Sequence, residues 1–294
     1  MSLTIISEQI NKPSWLKIRP ASSEKYYEIR ELHKKLNLHS VCIEANCPNA
    51  SECWSTGTAT FMIMGDTCTR ACKFCNVKTS LNPPAPLDKN EPKNLAKAIS
   101  KLNLGYIVIT SVDRDDLKDQ GAEHFAECIK ELKKIPGLKV EVLTPDFQGK
   151  KELIEIVVEA EPDVFGHNLE TVERLQKKVR DLKAGYEQSL KVLNYVKKIN
   201  PEIYTKSSLM LGLGETKEEV IQSMKDLRKI KVDVLTLGQY LRPSKKHLPV
   251  KEYVLPEQFK EYEKIGKELG FKYIASGPFV RSSYKAAELF LKKK

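Results

Sequence analysis

The sequence is poor in aromatics (7% of 294 residues), has only 5 histidines and contains no long apolar run. Its longest hydrophobic stretches are short, at 61–64 and 106–109. A membrane-spanning helix needs about 20 such residues, so none is expected. The opening residues, Met1-Ser-Leu-Thr-Ile-Ile-Ser-Glu8, lack the basic start and apolar stretch of a secretory signal. A cytoplasmic protein is therefore expected, with thiols kept reduced and cysteines serving as ligands or core residues. His33, His39, His124, His167 and His247 form no H-x-x-H or H-E-x-x-H pair, so no histidine metal site is expected. His167, beside Asn168, is the one expected to face a pocket.

What is present suits a folded enzyme. A hydrophobic fraction of 41% can fill a core and a charged fraction of 30% can cover it, in one large α/β domain or two small ones. Lys and Arg number 49 against 39 Asp and Glu, a formal charge of +10. Such a charge suits an acidic protein, an anionic small molecule or nucleic acid. The lysines are scattered in pairs, however, with no arginine-rich or aromatic-interleaved block, which argues against nucleic acid. An ordinary lysine-covered surface is the better explanation of the charge.

From residue 59 onward, apolar strand candidates alternate with amphipathic helices. The strands are expected at 60–64, 106–112, 139–144, 164–168, 207–213, 234–240 and 273–275. Between them run helical stripes at three- and four-residue spacing: Leu95, Ile99 and Leu102; Phe125, Ile129 and Leu132; Val220, Met224 and Leu227. This alternation predicts an α/β fold with a parallel sheet, closed or partly closed into a barrel. Chemistry in such barrels sits at the C-terminal ends of the strands. Residues 1–58 read as an extension with its own cysteines, 59–270 as the barrel, and 271–294 as a C-terminal extension.

Of 7 cysteines, six fall into two groups of three, Cys42-x₄-Cys47-x₅-Cys53 and Cys68-x₃-Cys72-x₂-Cys75. Three close thiolates can hold three corners of a [4Fe–4S] cube and leave the fourth iron open. Two triads suggest two clusters, each with one reactive or tunable corner. Zinc usually shows paired C-x₂-C knuckles with four ligands, a pattern these spacings do not make, though one zinc set with leftovers stays open. Cys128 lies apart, on the apolar face with Phe125 and Leu132, and reads as core.

The Cys68/Cys72/Cys75 spacing, after the first strand of a βα barrel, resembles the radical S-adenosylmethionine enzymes. The upstream Cys42/Cys47/Cys53 triad narrows the resemblance to the lipoyl synthases. So do Thr110-Ser-Val-Asp-Arg-Asp-Asp116, Gly166-His-Asn-Leu-Glu-Thr171 and Gly277-Pro-Phe-Val-Arg-Ser-Ser-Tyr284. The resemblance runs from about residue 15 to 290 and implies a partial (β/α)6-type TIM barrel.

The resemblance also implies an activity: insertion of two sulfurs at C6 and C8 of an octanoyl chain on a carrier-protein lysine. Two [4Fe–4S] clusters and S-adenosylmethionine would be the cofactors, the auxiliary cluster at Cys42, Cys47 and Cys53 giving up sulfur. Ser283 matches the family's fourth ligand to that cluster; read alone, Ser282-Ser283 is better explained as a helix N-cap. Ser111, Asp113, Asn168, Glu170, Arg180, Gly212 and Gly214 stand where the superfamily contacts S-adenosylmethionine, although each alone is also a strand-end turn or cap. Implied partners are octanoylated lipoyl domains or a glycine-cleavage H protein, and a ferredoxin or flavodoxin as electron donor. Lys245 and Lys246 are a candidate carrier-binding patch.

Overall fold

The structure, a computed structural model, describes residues 11–16, 24–36, 38–44, 47, 49–55, 59–80, 82–102 and 104–283. Tyr284 of the C-terminal motif lies outside them.

Apolar β-branched runs and helical stripes fold as their periods dictate. The strands are β1 (Ala59–Ile63), β2 (Thr67–Cys68), β3 (Lys78–Thr79), β4 (Tyr106–Ser111), β5 (Lys139–Leu143), β6 (Val164–Gly166), β7 (Tyr204–Leu211), β8 (Val234–Gln239) and β9 (Tyr273–Gly277). The helices are α1 (Glu24–Lys35), α2 (Val41–Glu44), α3 (Ala50–Ser55), α4 (Glu91–Leu102), α5 (Ala122–Lys133), α6 (Lys151–Glu159), α7 (Gln176–Val179), α8 (Tyr186–Ile199), α9 (Lys217–Lys229) and α10 (Pro256–Glu268).

One parallel sheet takes its strands in chain order, β1-β4-β5-β6-β7-β8-β9, with β1 and β9 at its two ends. Six strands lie within 59–270, as the partial barrel requires. The seventh, β9, comes from the span assigned to the C-terminal extension and pairs with β8 through Leu235–Ile274 and Leu237–Ser276. The sheet therefore runs past residue 270. Helices pack outside it with the expected stripes inward: Leu95, Ile99, Phe125, Ile129, Leu132, Val220, Met224 and Leu227 are all buried. Cys128 is buried in the same layer. Thr216 starts α9 with a full capping box to Glu219, satisfying donors that the first helical turn leaves free.

One buried charge cluster inside the barrel is fully paired. Lys206 on β7 reaches Glu141 on β5 at 2.7 Å, and Tyr106 on β4 donates to the same carboxylate at 2.5 Å. Buried charges persist only when partnered in this way.

Candidate active site

A cavity of about 530 Å³ opens at the C-terminal ends of the strands and gathers both cysteine triads in its lining. Cys42, Cys47, Cys53, Cys68, Cys72, Cys75, Ser111, Asp113, Asn168, Glu170, Arg180 and Ser283 all line it. Gly212 and Gly214 do not. Gly212, at φ +98°, turns the chain after β7, where an added Cβ would meet Gln239 and the Glu252 carbonyl. The side chain of Glu215 receives the backbone N–H groups of Gly212 and Leu213.

The auxiliary triad is drawn together by short helices. Cys47 N–H donates to the Cys42 carbonyl at 3.0 Å, and Cys53 N–H to the Asn49 carbonyl at 2.9 Å. The segment carrying Ser283 is fixed to this loop by Asn49, whose amide donates to the Phe279 carbonyl at 2.5 Å. This bond spans sequence-distant pieces and explains why Ser283 shares a cavity with Cys42, Cys47 and Cys53. Nearby, Gly238 leaves room for the Val280 carbonyl, which would lie 1.9 Å from an added Cβ.

The second triad sits in the loop after β1, held from three sides. Arg70, within it, is buried at 4% exposure. Its guanidinium bonds Asp115 at 2.9 Å through two nitrogens, and Asp146 at 2.9 and 2.8 Å. Asp181 takes the Ala71 N–H at 2.9 Å. His247 bonds the Cys75 carbonyl at 2.9 Å through Nε2. Sulfur atoms here already accept backbone donors: Cys68 from Arg70 and Asp113 at 3.4 and 3.3 Å, and Cys72 from Asp181 at 3.3 Å. Such N–H···S contacts stabilise charge on cluster sulfurs.

All six thiols are free and half-buried. Burial pushes Cys47 up to about 11 and Cys68 and Cys72 up to about 12; it raises Cys42 and Cys75 as well. Thiols so disfavoured as free anions suit a metal, which deprotonates its own ligands, better than they suit a lone nucleophile. Among the described residues no three His, Cys, Asp or Glu side chains close around a single ion. A cube of four irons and four sulfides takes each cysteine at a separate corner.

Other residues lining the cavity are polar and unsatisfied. Ser111 Oγ, Asn168 Oδ1 and Arg180 Nε are buried without a hydrogen-bond partner. Orphaned buried polar atoms are costly and point to a missing partner. Asn168 donates its amide to Glu170 at 3.0 Å. Glu170 sits at a positive φ of 66°, and burial raises its pKa. Arg180 donates to Ser189 at 2.8 Å, and Ser189 meets His167 Nε2 at 2.8 Å. His167 Nδ1 lies 2.9 Å from the Thr144 carbonyl, so it carries the proton and Nε2 accepts from Ser189. Burial, then Arg180, hold His167 neutral with a pKa near 4. His167 lines the cavity as expected.

Sequence reasoning missed Arg70 and Asp146. The acidic run at 113–116 is tied down, with Arg70 and Arg114 engaging Asp113, Asp115 and Asp116. An arginine between cysteines was the available signal; Asp146 lies too far along the chain to announce itself.

Residues 62–227 match the Radical SAM superfamily. The chain is 60% identical over 281 residues to the lipoyl synthase of Anaeromyxobacter dehalogenans, covering 96% of this chain and 95% of that one. It is 56% identical to the Thermus thermophilus enzyme, covering 96% and 87%. It is 55% identical to the mitochondrial one of Bos taurus, covering 97% and 78%. The chain belongs to the lipoyl synthase family. Among solved structures it resembles Streptococcus suis SuiB bound to S-adenosylmethionine, at a TM-score of 0.59 and 14% identity, covering 86% of this chain and 60% of that one. It also resembles the FeFe-hydrogenase maturase HydG of Carboxydothermus hydrogenoformans, at 0.54 and 12%, covering 91% and 70%. Those two likenesses concern the fold alone. The protein is thus a radical-SAM enzyme on a TIM-barrel-like α/β frame, and the superfamily's [4Fe–4S] cluster and S-adenosylmethionine are its cofactors. Among the described residues no helix is long and apolar enough to cross a membrane.

Proposed function

We propose that this chain is a sulfurtransferase that places two sulfurs, at C6 and C8, on an octanoyl chain borne by a carrier-protein lysine. The observation that carries this reading is the shared cavity, with two three-cysteine sets, Ser283 and three orphaned polar atoms on its wall. One set would not supply both a radical source and a sulfur source; two do.

Cys68, Cys72 and Cys75 are assigned to the cluster that works with S-adenosylmethionine. Cys42, Cys47, Cys53 and Ser283 are assigned to an auxiliary [4Fe–4S] cluster. When bound, these groups supply hydrogen abstraction from unactivated C–H bonds and the sulfur that replaces the hydrogen, chemistry beyond any general base. A serine oxygen is a harder, more weakly held ligand for cluster iron than a thiolate, which suits a corner that must open. Ser111, Asp113, Asn168, Glu170 and Arg180 would hold the ligand's amino, carboxylate and ribose groups. Arg180 supplies the fixed cation, and Ser111 and Asn168 supply unpaired donors and acceptors. Gly212 and Gly214 are assigned a supporting turn behind that wall. Met62, Leu143, Leu209, Met210 and Tyr240 give the cavity an apolar lining that suits an alkyl chain and excludes water.

The natural acyl carrier would be a lipoyl domain or an H protein, and the electron donor a ferredoxin or flavodoxin. A cytoplasmic site of action belongs to the same proposal. The test is iron and sulfide content after anaerobic reconstitution, beside a Cys42/Cys47/Cys53→Ala variant. About eight irons falling to about four supports two separate [4Fe–4S] sites. About four irons in both proteins would sink the auxiliary cluster. An octanoyl-lysine peptide then tests sulfur insertion directly.

A further inference from the structure

We propose that the segment from Lys177 to Lys183, the end of α7 and the loop after it, is the docking face for an acidic one-electron carrier protein that reduces the cluster at Cys68, Cys72 and Cys75. The inference rests on the reading of those three cysteines as cluster ligands and adds where the electron enters.

Leu182 is 87% exposed. A single exposed leucine is ordinary on a protein surface. Its place is what matters. Leu182 follows Asp181, whose backbone N–H donates to Cys72 Sγ at 3.3 Å and whose carboxylate takes the Ala71 N–H at 2.9 Å. One peptide unit and one hydrogen bond therefore separate this surface from a ligand sulfur. The loop also pairs with the cysteine loop through Lys73 N–H and the Val179 carbonyl at 2.9 Å. Ala184, just beyond, already lines the cavity.

The same segment and the cysteine loop bonded to it carry exposed positive charge. Lys73, Lys177, Lys178 and Lys183 are all exposed. The carboxylates at hand are mostly committed: Asp115 lies buried between Arg70 and Lys183, and Asp181 is capped by backbone donors at 71 and 183. Glu173 and Glu187 are the exposed acidic residues nearest in sequence. An exposed leucine on a lysine-rich segment suits a partner with an acidic rim around its own redox centre. Steering by such complementary charge raises association rates and weakens with salt. One electron would leave the carrier, which is oxidised, and enter the cluster, which is reduced; no bond forms or breaks.

The experiment compares reconstituted full-length protein with Leu182→Asp and Lys177→Glu/Lys178→Glu variants, none of them at a cavity residue. Two reductants are used: dithionite, which needs no docking, and a reduced carrier protein, tried as both an acidic flavodoxin and an acidic ferredoxin. The cluster's visible absorbance reports each reduction in stopped flow. The expected result is unchanged iron content and dithionite reduction in every variant. Reduction by the carrier should slow at least about tenfold, and its salt dependence should flatten in the charge-reversed protein. Carrier-driven rates equal to those of the unaltered protein would overturn the proposal. So would failure of both carriers to reduce the unaltered protein. Unchanged reduction with a raised KM for an octanoylated carrier domain would assign this face to the acyl carrier and overturn it too. Loss of any dithionite-reducible cluster in unaltered protein is a different failure, of the cluster assignment itself, and removes the inference with it.

Discussion

Arg70, inside the C-x₃-C-x₂-C loop, and Asp146, beyond the end of β5, form a buried two-point ion pair, at 2.9 and 2.8 Å. The pair joins the cysteine loop to the barrel. Removing one member of a buried pair typically costs about 3–5 kcal/mol, because the other charge is left without compensation. Arg70→Met is expected to lower stability by that order and to lose iron from one cluster while retaining the other. Lysine is a point charge and cannot replace a fork that grips two carboxylates. Arg70→Lys should therefore recover only part of the loss. Thermal unfolding and iron counts on the same samples check both statements. Burial pushes Asp146 up, but Arg70 outweighs it and holds the carboxyl below its usual range. This contribution is present above about pH 4 and is lost as pH falls through the depressed value.

Asn168→Ala and Arg180→Met should weaken S-adenosylmethionine binding by about tenfold each, since hydrogen bonds to charged groups contribute about 1.5–3 kcal/mol. Equilibrium binding on reconstituted protein is the readout. Gly212→Ala makes the contrast. Its backbone is left-handed and an added Cβ would lie 2.3 Å from the Glu252 carbonyl. It should lower the melting temperature and leave the affinity of the folded fraction unchanged. A lost affinity in Gly212→Ala with full stability would move that glycine into the site.

Ser283→Ala should lower the iron bound at the Cys42/Cys47/Cys53 site and abolish sulfur insertion. Ser283→Cys should keep the iron while slowing turnover, because a thiolate holds cluster iron more firmly than an alkoxide. Full sulfur insertion by Ser283→Ala would end the ligand assignment and leave the serine as a helix cap. Cys128→Ser supplies the control: it buries a hydroxyl in an apolar layer at a cost of about 1–3 kcal/mol and should leave iron content unaltered.

The barrel was legible because period and chemistry agree. Leu95, Ile99 and Leu102 or Val220, Met224 and Leu227 can face inward only on helices, and the runs between them are too short for anything but strands. The cysteine triads stand out by spacing and Ser283 by its motif, and the fold brings them to one cavity. What the sequence hides is long-range pairing. Arg70 meets Asp146 across 76 residues and Asn49 meets Phe279 across 230, and no local pattern marks either partner. Gly212 is the reverse case: its motif is visible in the sequence, while its φ of +98° and the crowding around it are not.

His167 provides the last test, on pH. Its ring is buried at 3% exposure between the Thr144 carbonyl and Ser189, and burial and Arg180 depress its pKa from 6.5 to about 4. In the folded protein the ring stays neutral down to that value, while the unfolded chain takes up the proton near 6.5. Its contribution is therefore complete above about pH 6.5 and is lost as pH falls toward 4, about 3 to 4 kcal/mol in all at about 1.4 kcal/mol per unit. Chemical denaturation of the cluster-free protein between pH 7 and about 4 should lose close to one proton's worth of stability per pH unit from this residue. In His167→Gln, which cannot take up the proton, that slope should flatten by the same amount. An unaltered slope in the variant would show that other groups govern acid stability, and that His167 serves to hold Ser189 and Arg180 rather than to set the pH range.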